Sequence, residues 1–160
     1  MSTKSMTYEE ALVKMERYCA YQERCHSDVR KKLIQLGVFG DRLEKVMASL
    51  IENNFLNEQR FANSYTSGKY RLKAWGRRKI KHALESKSIS NYCVQKAMLE
   101  INDLEYQAVL HRALHKYLSN LSNLSLFEKR GRLYKYAYNK GYEKEIINIV
   151  LNQILGQRIE

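Results

Sequence analysis

An all-α fold of three tandem three-helix repeats is predicted by three features of this sequence. The first is a faint threefold repetition. Val29, Leu33, Val38, Leu43, Met47 and Leu50 recur 51 positions on as Ile80, Leu84, Ile89, Val94, Met98 and Ile101. They recur a further 53 on as Leu133, Ala137, Tyr142, Ile147, Leu151 and Ile154. The second is a break at the same place in each copy, at Gly37-Val38, Ser88-Ile89 and Gly141-Tyr142. The third is that the 160 residues contain no proline and only seven glycines. Average usage would make ~5% of the chain proline, so the commonest helix breaker is missing. A period of this size marks stacked supersecondary units, none of which buries its apolar face alone. The expected architecture is an elongated, curved array of either hand, divided at 1–56, 57–102 and 103–160.

The elements follow in order. Thr7 and Glu10 have the spacing of a capping box ahead of a helix over 8–24. Ser27 is an acceptable N-cap for a second helix over 27–36, and Gly37 a candidate stop. Leu43, Val46, Met47, Leu50 and Ile51 form an apolar stripe on a third helix over 41–53. Asn57 precedes a fourth over 58–72, Trp75-Gly76 separates it from a fifth over 76–86, and Ser90 precedes a sixth over 91–101. Asn102 with Glu105 opens the seventh, over 103–118. The polar stretch 119–125 reads as a loop, and Ser125 with Glu128 offers a second capping box for the eighth, over 126–140. After Gly141, the stripe Ile146, Ile147, Val150, Leu151, Ile154 and Leu155 marks the ninth, over 143–155, with Gly156 as its stop.

Hydrophobic residues make up 44% of the chain, enough for a folded domain rather than a disordered tail. No run approaches the ~20 apolar residues of a membrane helix. The start, Met1-Ser2-Thr3-Lys4-Ser5, carries no export signal, and Cys19, Cys25 and Cys93 have no disulfide-framework spacing. The expected compartment is the cytoplasm. The net charge of +11, from 28 Lys and Arg against 17 Asp and Glu, points to an anionic partner.

That charge is concentrated. Between positions 69 and 87 stand Lys69, Arg71, Lys73, Arg77, Arg78, Lys79, Lys81 and Lys87, against one acid, Glu85. Cations at this density suit phosphate oxygens or clustered carboxylates, so these eight are the leading candidates for contact with a partner or DNA. Trp75 in their midst is expected to plug the helix corner, with stacking on a partner as the alternative. A secondary area holds Lys129, Arg130, Arg132 and Lys135, continuing to Lys140 and Lys144. A third holds Arg24, Arg30, Lys31, Lys32, Arg42 and Lys45, opposed by Asp28, Asp41 and Glu44. In a stacked array the three areas would line up as a stripe suited to a long polyanion or filament. Of the crowded Tyr134, Tyr136, Tyr138 and Tyr142, at least one should face solvent or a partner, because a spacing of two changes helix face.

Enzyme signatures are absent: there is no glycine-rich phosphate loop, no Gly-x-Ser-x-Gly turn and no His-Glu-x-x-His pair. Cys19, Cys25 and His26 lack the spacing of a structural zinc site, and His111 with His115 lacks a completing carboxylate. No catalytic residue, metal or cofactor is expected.

Asn57-Glu58-Gln59-Arg60-Phe61-Ala62, followed by Lys73-Ala74-Trp75-Gly76-Arg77-Arg78-Lys79-Ile80 and Leu84, resembles the central block of the bacterial RecX family. Ser27 with Leu33 and Gly37 resembles the first block. Lys129-Arg130-Gly131-Arg132-Leu133 with Lys140-Gly141-Tyr142 and Ile146-Ile147 resembles the third. The chain departs from the family pattern at Asp28-Val29, Asn57-Glu58 and Ser88-Ile89, and the last makes a left-handed turn less favourable. The resemblance implies three tandem three-helix repeats in a curved molecule. It also implies a non-enzymatic regulator, acting as a monomer, that binds RecA recombinase filaments on single-stranded DNA and inhibits ATP hydrolysis, filament growth and strand exchange. Direct binding of single- or double-stranded DNA accompanies this in some members. The alternative reading is a stand-alone basic nucleic-acid-binding protein of helix-turn-helix type. A third is a helical scaffold whose charge serves only solubility.

Overall fold

The structure, a computed structural model, describes residues 5–156. The reading of Met1 to Lys4 as a start without an export signal lies outside the described residues, as do the last four positions of the third repeat. Nine helices are present among the described residues: α1 Tyr8–Tyr21, α2 His26–Gln35, α3 Gly40–Glu52, α4 Glu58–Lys73, α5 Arg77–Ser86, α6 Asn91–Leu99, α7 Asp103–Leu118, α8 Leu126–Asn139 and α9 Lys144–Leu155.

The expected caps form. The Glu10 N–H donates to Thr7 Oγ1 at 3.2 Å while the Thr7 N–H donates to Glu10 Oε2 at 2.9 Å. Ser125 and Glu128 repeat that exchange at 3.2 and 3.1 Å. Asn57, Ser90 and Asn102 each accept the backbone N–H three residues on. Ser27 does not cap α2. Cys25 is the N-cap residue, and Ser27 lies inside the first turn, where its hydroxyl donates to the Lys87 carbonyl at 3.2 Å. α1 ends at Tyr21 rather than Arg24 because Gln22 is extended. Arg24 folds back, with Nε donating to the Tyr18 carbonyl at 3.2 Å and its guanidinium 3.9 Å from the Tyr18 ring centroid. α6 stops at Leu99, two residues early, on 3-residue turns closed by Glu100 and Ile101.

The three breaks are one turn repeated. Val38, Ile89 and Tyr142 donate to the carbonyls of Leu33, Leu84 and Ala137 at 2.9, 3.1 and 3.2 Å. Gly37, Ser88 and Gly141 donate to Ile34, Glu85 and Tyr138 at 3.0 Å each. This is the Schellman pair of bonds, and it needs a left-handed residue. Gly37 and Gly141 supply it at φ 76° and 96°, and Ser88 adopts it as well, at 61°. The two turn bonds and burial of Ile89 outweigh the strain, which is about 1–2 kcal/mol for a residue with a Cβ.

Within each unit the first helix packs on the third. Packing of α4 on α7 joins the second unit to the third. Sixteen of the eighteen repeat positions are buried, and the other two, Met98 and Ile154, pack partly buried against the core. Each fully buried Leu or Ile contributes about 1.5–3 kcal/mol. The buried residues form two cores. Ala11, Met15, Val29, Leu33, Val46 and Leu50 belong to the first, inside α1–α3. The second runs continuously through both later units, from Phe61, Ile80 and Leu84 to Tyr106, Leu133 and Ile147.

Candidate functional site

The basic segment begins where α4 ends. Ala74, left-handed at φ 51°, stops the helix, and the Trp75 N–H donates to the Lys69 carbonyl at 3.1 Å. The chain then turns at Gly76 into α5, and this corner is clasped by the third unit. The Gly76 N–H donates to the Lys140 carbonyl at 2.7 Å and the Arg78 N–H to the Gly141 carbonyl at 3.1 Å. A Cβ on Gly76 would lie 2.2 Å from the Gly141 carbonyl carbon, so only glycine fits. The same docking occurs one unit earlier in weaker form. There the Lys87-Ser88 turn meets the start of α2 through Ser27 and through a 3.6 Å ion pair of Lys87 with Asp28.

The eight leading candidates divide into cations engaged within the protein and cations that are not. The arginines are engaged within the protein. Arg71 pairs with both Glu105 oxygens, at 2.8 and 3.1 Å, and its guanidinium holds the Glu105 carboxyl below the usual carboxylate range. Arg77 pairs with Asp103 and, at 3.6 Å, with Glu143, its guanidinium 4.2 Å from the Tyr106 ring centroid. Arg78 donates to the Tyr138 and Tyr142 carbonyls at 2.8 and 3.3 Å and covers the Tyr138 ring. Lys81 lies 4.0 Å from Glu85, and Lys87 pairs with Asp28.

The remaining lysines have no carboxylate within salt-bridge distance among the described residues. Lys69 and Lys79 place their ammonium groups 4.8 and 4.5 Å from the centroid of Trp75, which is half-buried against the core. Lys140, from the third unit, donates to the Lys73 carbonyl at 3.2 Å. Partial burial, with the neighbouring charges of Lys79 and Lys73, pushes the Lys140 ammonium below the usual lysine range. The structure thus gathers Lys69 and Lys79 around one tryptophan, with Lys140 bonded to the Lys73 carbonyl and its ammonium 5.7 Å from the Tyr136 ring centroid. Lys140 stood outside the leading candidates, and its signal was positional: it occupies the same place in the third repeat as Lys87 in the second.

The other areas are less concentrated. Arg130 donates to Asn152 Oδ1 at 3.0 Å. Arg132 and Lys135 are exposed and line a cleft of about 370 Å³ with Tyr117, Tyr136 and Asn139, while Lys129 is half-buried. In the first unit Arg30 pairs bidentately with Glu44, and Arg42 donates to Ser5 and the Met6 carbonyl, both at 2.7 Å. Tyr142 is fully buried, its ring tilted against that of Tyr106 with centroids 4.8 Å apart, while Tyr138 is 41% exposed beneath Arg78.

The cysteines are buried free thiols. Burial pushes Cys19 up to about 11, and Cys25 is raised for the same reason. Both are therefore poor nucleophiles near neutral pH. Among the described residues no group of three or more His, Cys, Asp or Glu is placed to hold a metal, and no helix is long and apolar enough to cross a membrane.

Known proteins share this fold. A family model described as the second three-helix domain of RecX matches residues 57–98, the unit that carries the lysine corner. A regulatory protein RecX of Clostridium tetani is 33% identical over 132 residues, covering 79% of this chain and 59% of that protein. One from Lactococcus lactis subsp. cremoris is 29% identical over 140 residues, covering 86% and 52%. The chain spans about half the length of the lactococcal and lactobacillar relatives it matches. The crystal structure of RecX from Lactobacillus salivarius superposes with a TM-score of 0.81 at 21% identity, over 92% of this chain and 96% of that one, and so shares the fold. With nine helices among the described residues and relatives matched over most of its length, the chain belongs to the RecX family.

Proposed function

We propose that this chain is a regulatory protein that lies along RecA filaments on single-stranded DNA and restrains their ATP hydrolysis and growth, and with them recombination and repair. It does so as a cytoplasmic monomer with no catalytic chemistry of its own. The observation that carries the reading is the family match centred on the second unit, together with relatives called regulatory protein RecX along most of the chain. The array supports it: tandem units joined end to end present an extended surface, which suits a filament better than a point ligand. Filament contact falls to Lys69, Lys73 and Lys79 first, with Arg132 and Lys135 as a second area.

The helix-turn-helix alternative requires side chains free to read base edges in a groove. Arg77 and Arg78, the two arginines at the start of α5, are instead tied to Asp103, Glu143 and the carbonyls of the third unit. Titrating the protein into a RecA ATPase assay on single-stranded DNA tests the proposal. Hydrolysis should fall toward a plateau as the protein saturates the filament. Unchanged hydrolysis and filament length at saturation would contradict it.

A further inference from the structure

We propose that the cleft between α4 and the 22–28 segment of the first unit takes an acidic peptide segment with one aliphatic side chain. The aliphatic group lies over Gly68, and the flanking carboxylates meet Lys69 and Lys73. This goes beyond the proposed function, because the ligand is a peptide and is recognised without RecA or DNA. Four observations carry it.

The first is the cleft itself, of about 400 Å³, which lies between the first unit and the second. Gln22, Glu23 and Asp28 line one wall. Ser64, Gly68 and Leu72, four apart on one face of α4, line the other. Leu72 is 84% exposed, so that wall offers aliphatic surface with no partner of its own.

The second is Gly68. It lies inside α4, and a Cβ there would meet nothing within 4 Å. Neither a turn nor a close approach within the protein calls for glycine, and glycine inside a helix is less stable than alanine. Its effect is to keep the cleft wall bare, where any larger side chain would project into the space a ligand needs.

The third is charge. Glu23 is paired with Arg60 at 2.6 Å and Asp28 with Lys87 at 3.6 Å. Lys69 and Lys73 also line the cleft and have no carboxylate within salt-bridge distance among the described residues. The unbalanced charge of the cleft is therefore positive, which suits carboxylates flanking the buried side chain.

The fourth distinguishes a peptide from nucleic acid. Glu23 Oε1 accepts from Arg60, but Glu23 Oε2 is buried with no hydrogen-bond partner among the described residues. An unpaired buried acceptor is costly. A small rotation of this partly exposed side chain turns the oxygen toward the cleft, where a peptide N–H can donate to it. A phosphodiester backbone has no such donor. Nor is an aromatic face open to a base, because Phe61 is 5% exposed and the Lys69 ammonium lies 5.2 Å from the Tyr65 ring centroid.

The test uses the full chain alone. Amide proton–nitrogen correlation spectra are recorded while acetyl-Glu-Leu-Glu-amide is titrated to millimolar concentration. Saturable shifts should be confined to residues 22–28 and 64–73. Replacing the peptide leucine by serine should weaken binding at least about tenfold, as loss of a buried leucine side chain requires. Acetyl-Lys-Leu-Lys-amide should not bind. Gly68→Gln should weaken binding of the acidic peptide at least about tenfold without lowering the melting temperature, since glutamine is the better helix former. Gly131→Gln, at another helical glycine with open space above it, should bind as wild type does. K69Q/K73Q should bind more weakly and with less dependence on salt. The proposal is overturned by absent shifts, by shifts spread over the other basic areas, by equal binding of the serine peptide, or by unchanged binding in Gly68→Gln. Oligo-dT that shifts the same residues and displaces the peptide would assign the cleft to nucleic acid instead. A failed peptide titration leaves the proposed function intact, and RecA ATPase unaffected by wild type leaves this site standing.

Discussion

The two junctions of this molecule use the same docking scheme with opposite materials. Between the first and second units the contact is polar: Lys87 with Asp28, Ser27 with the Lys87 carbonyl, and Arg60 with Glu23 at 2.6 Å. Each side keeps its own core, apart from Cys25 of the first unit, which packs into the second core. Between the second and third units the core is continuous, and the backbones touch at Gly76 and Gly141. The Tyr106 hydroxyl joins both sides, accepting the Arg77 N–H at 2.9 Å and donating to Glu143 at 3.0 Å. The difference teaches that equal repeats in sequence need not be equal bodies in space. Units two and three are one piece carrying the lysine corner, and unit one is attached to it as a separately packed arm.

The strongest way to break this comparison is at the glycine contact. Gly76→Ala drives a methyl group into the Gly141 backbone, which cannot yield as a side-chain tip can. Thermal or urea unfolding should show a loss of at least about 3 kcal/mol, at the upper end of overpacking effects. A loss below about 1 kcal/mol would mean the two units separate easily. A smaller effect is expected at the polar junction. Arg60→Ala removes the Glu23 pair and the bonds to the Asn54 and Phe55 carbonyls. Because the pair is partly exposed, the cost should be about 1 kcal/mol. It should appear as faster amide exchange in α1–α3 with α4–α9 unchanged.

Much of this was legible in the sequence because it is local. Caps such as Thr7 with Glu10 lie within one turn, and the apolar stripes repeat at helical spacing, so the nine helices fall within three residues of expectation at each end. Ser88 was harder, because the sequence disfavours a left-handed serine, while the bonds that impose it belong to the turn as a whole. The binding corner was only half legible. Eight cations against one acid between 69 and 87 look uniformly available, but Arg71 and Arg77 find their carboxylates at Glu105, Asp103 and Glu143, far along the chain. Lys140 joins the cluster by the same route. Long-range pairing decides which charges remain free, and a local count of charges does not contain it.

Native-state hydrogen exchange across the nine helices tests the central claim most directly, because it reports the free energy at which each part opens. The slowest amides of α4–α6 and α7–α9 should share one opening free energy, the global one, while those of α1–α3 exchange through a lower one. A shared opening for α1–α3 and α4–α6, with α7–α9 opening separately, would contradict the account.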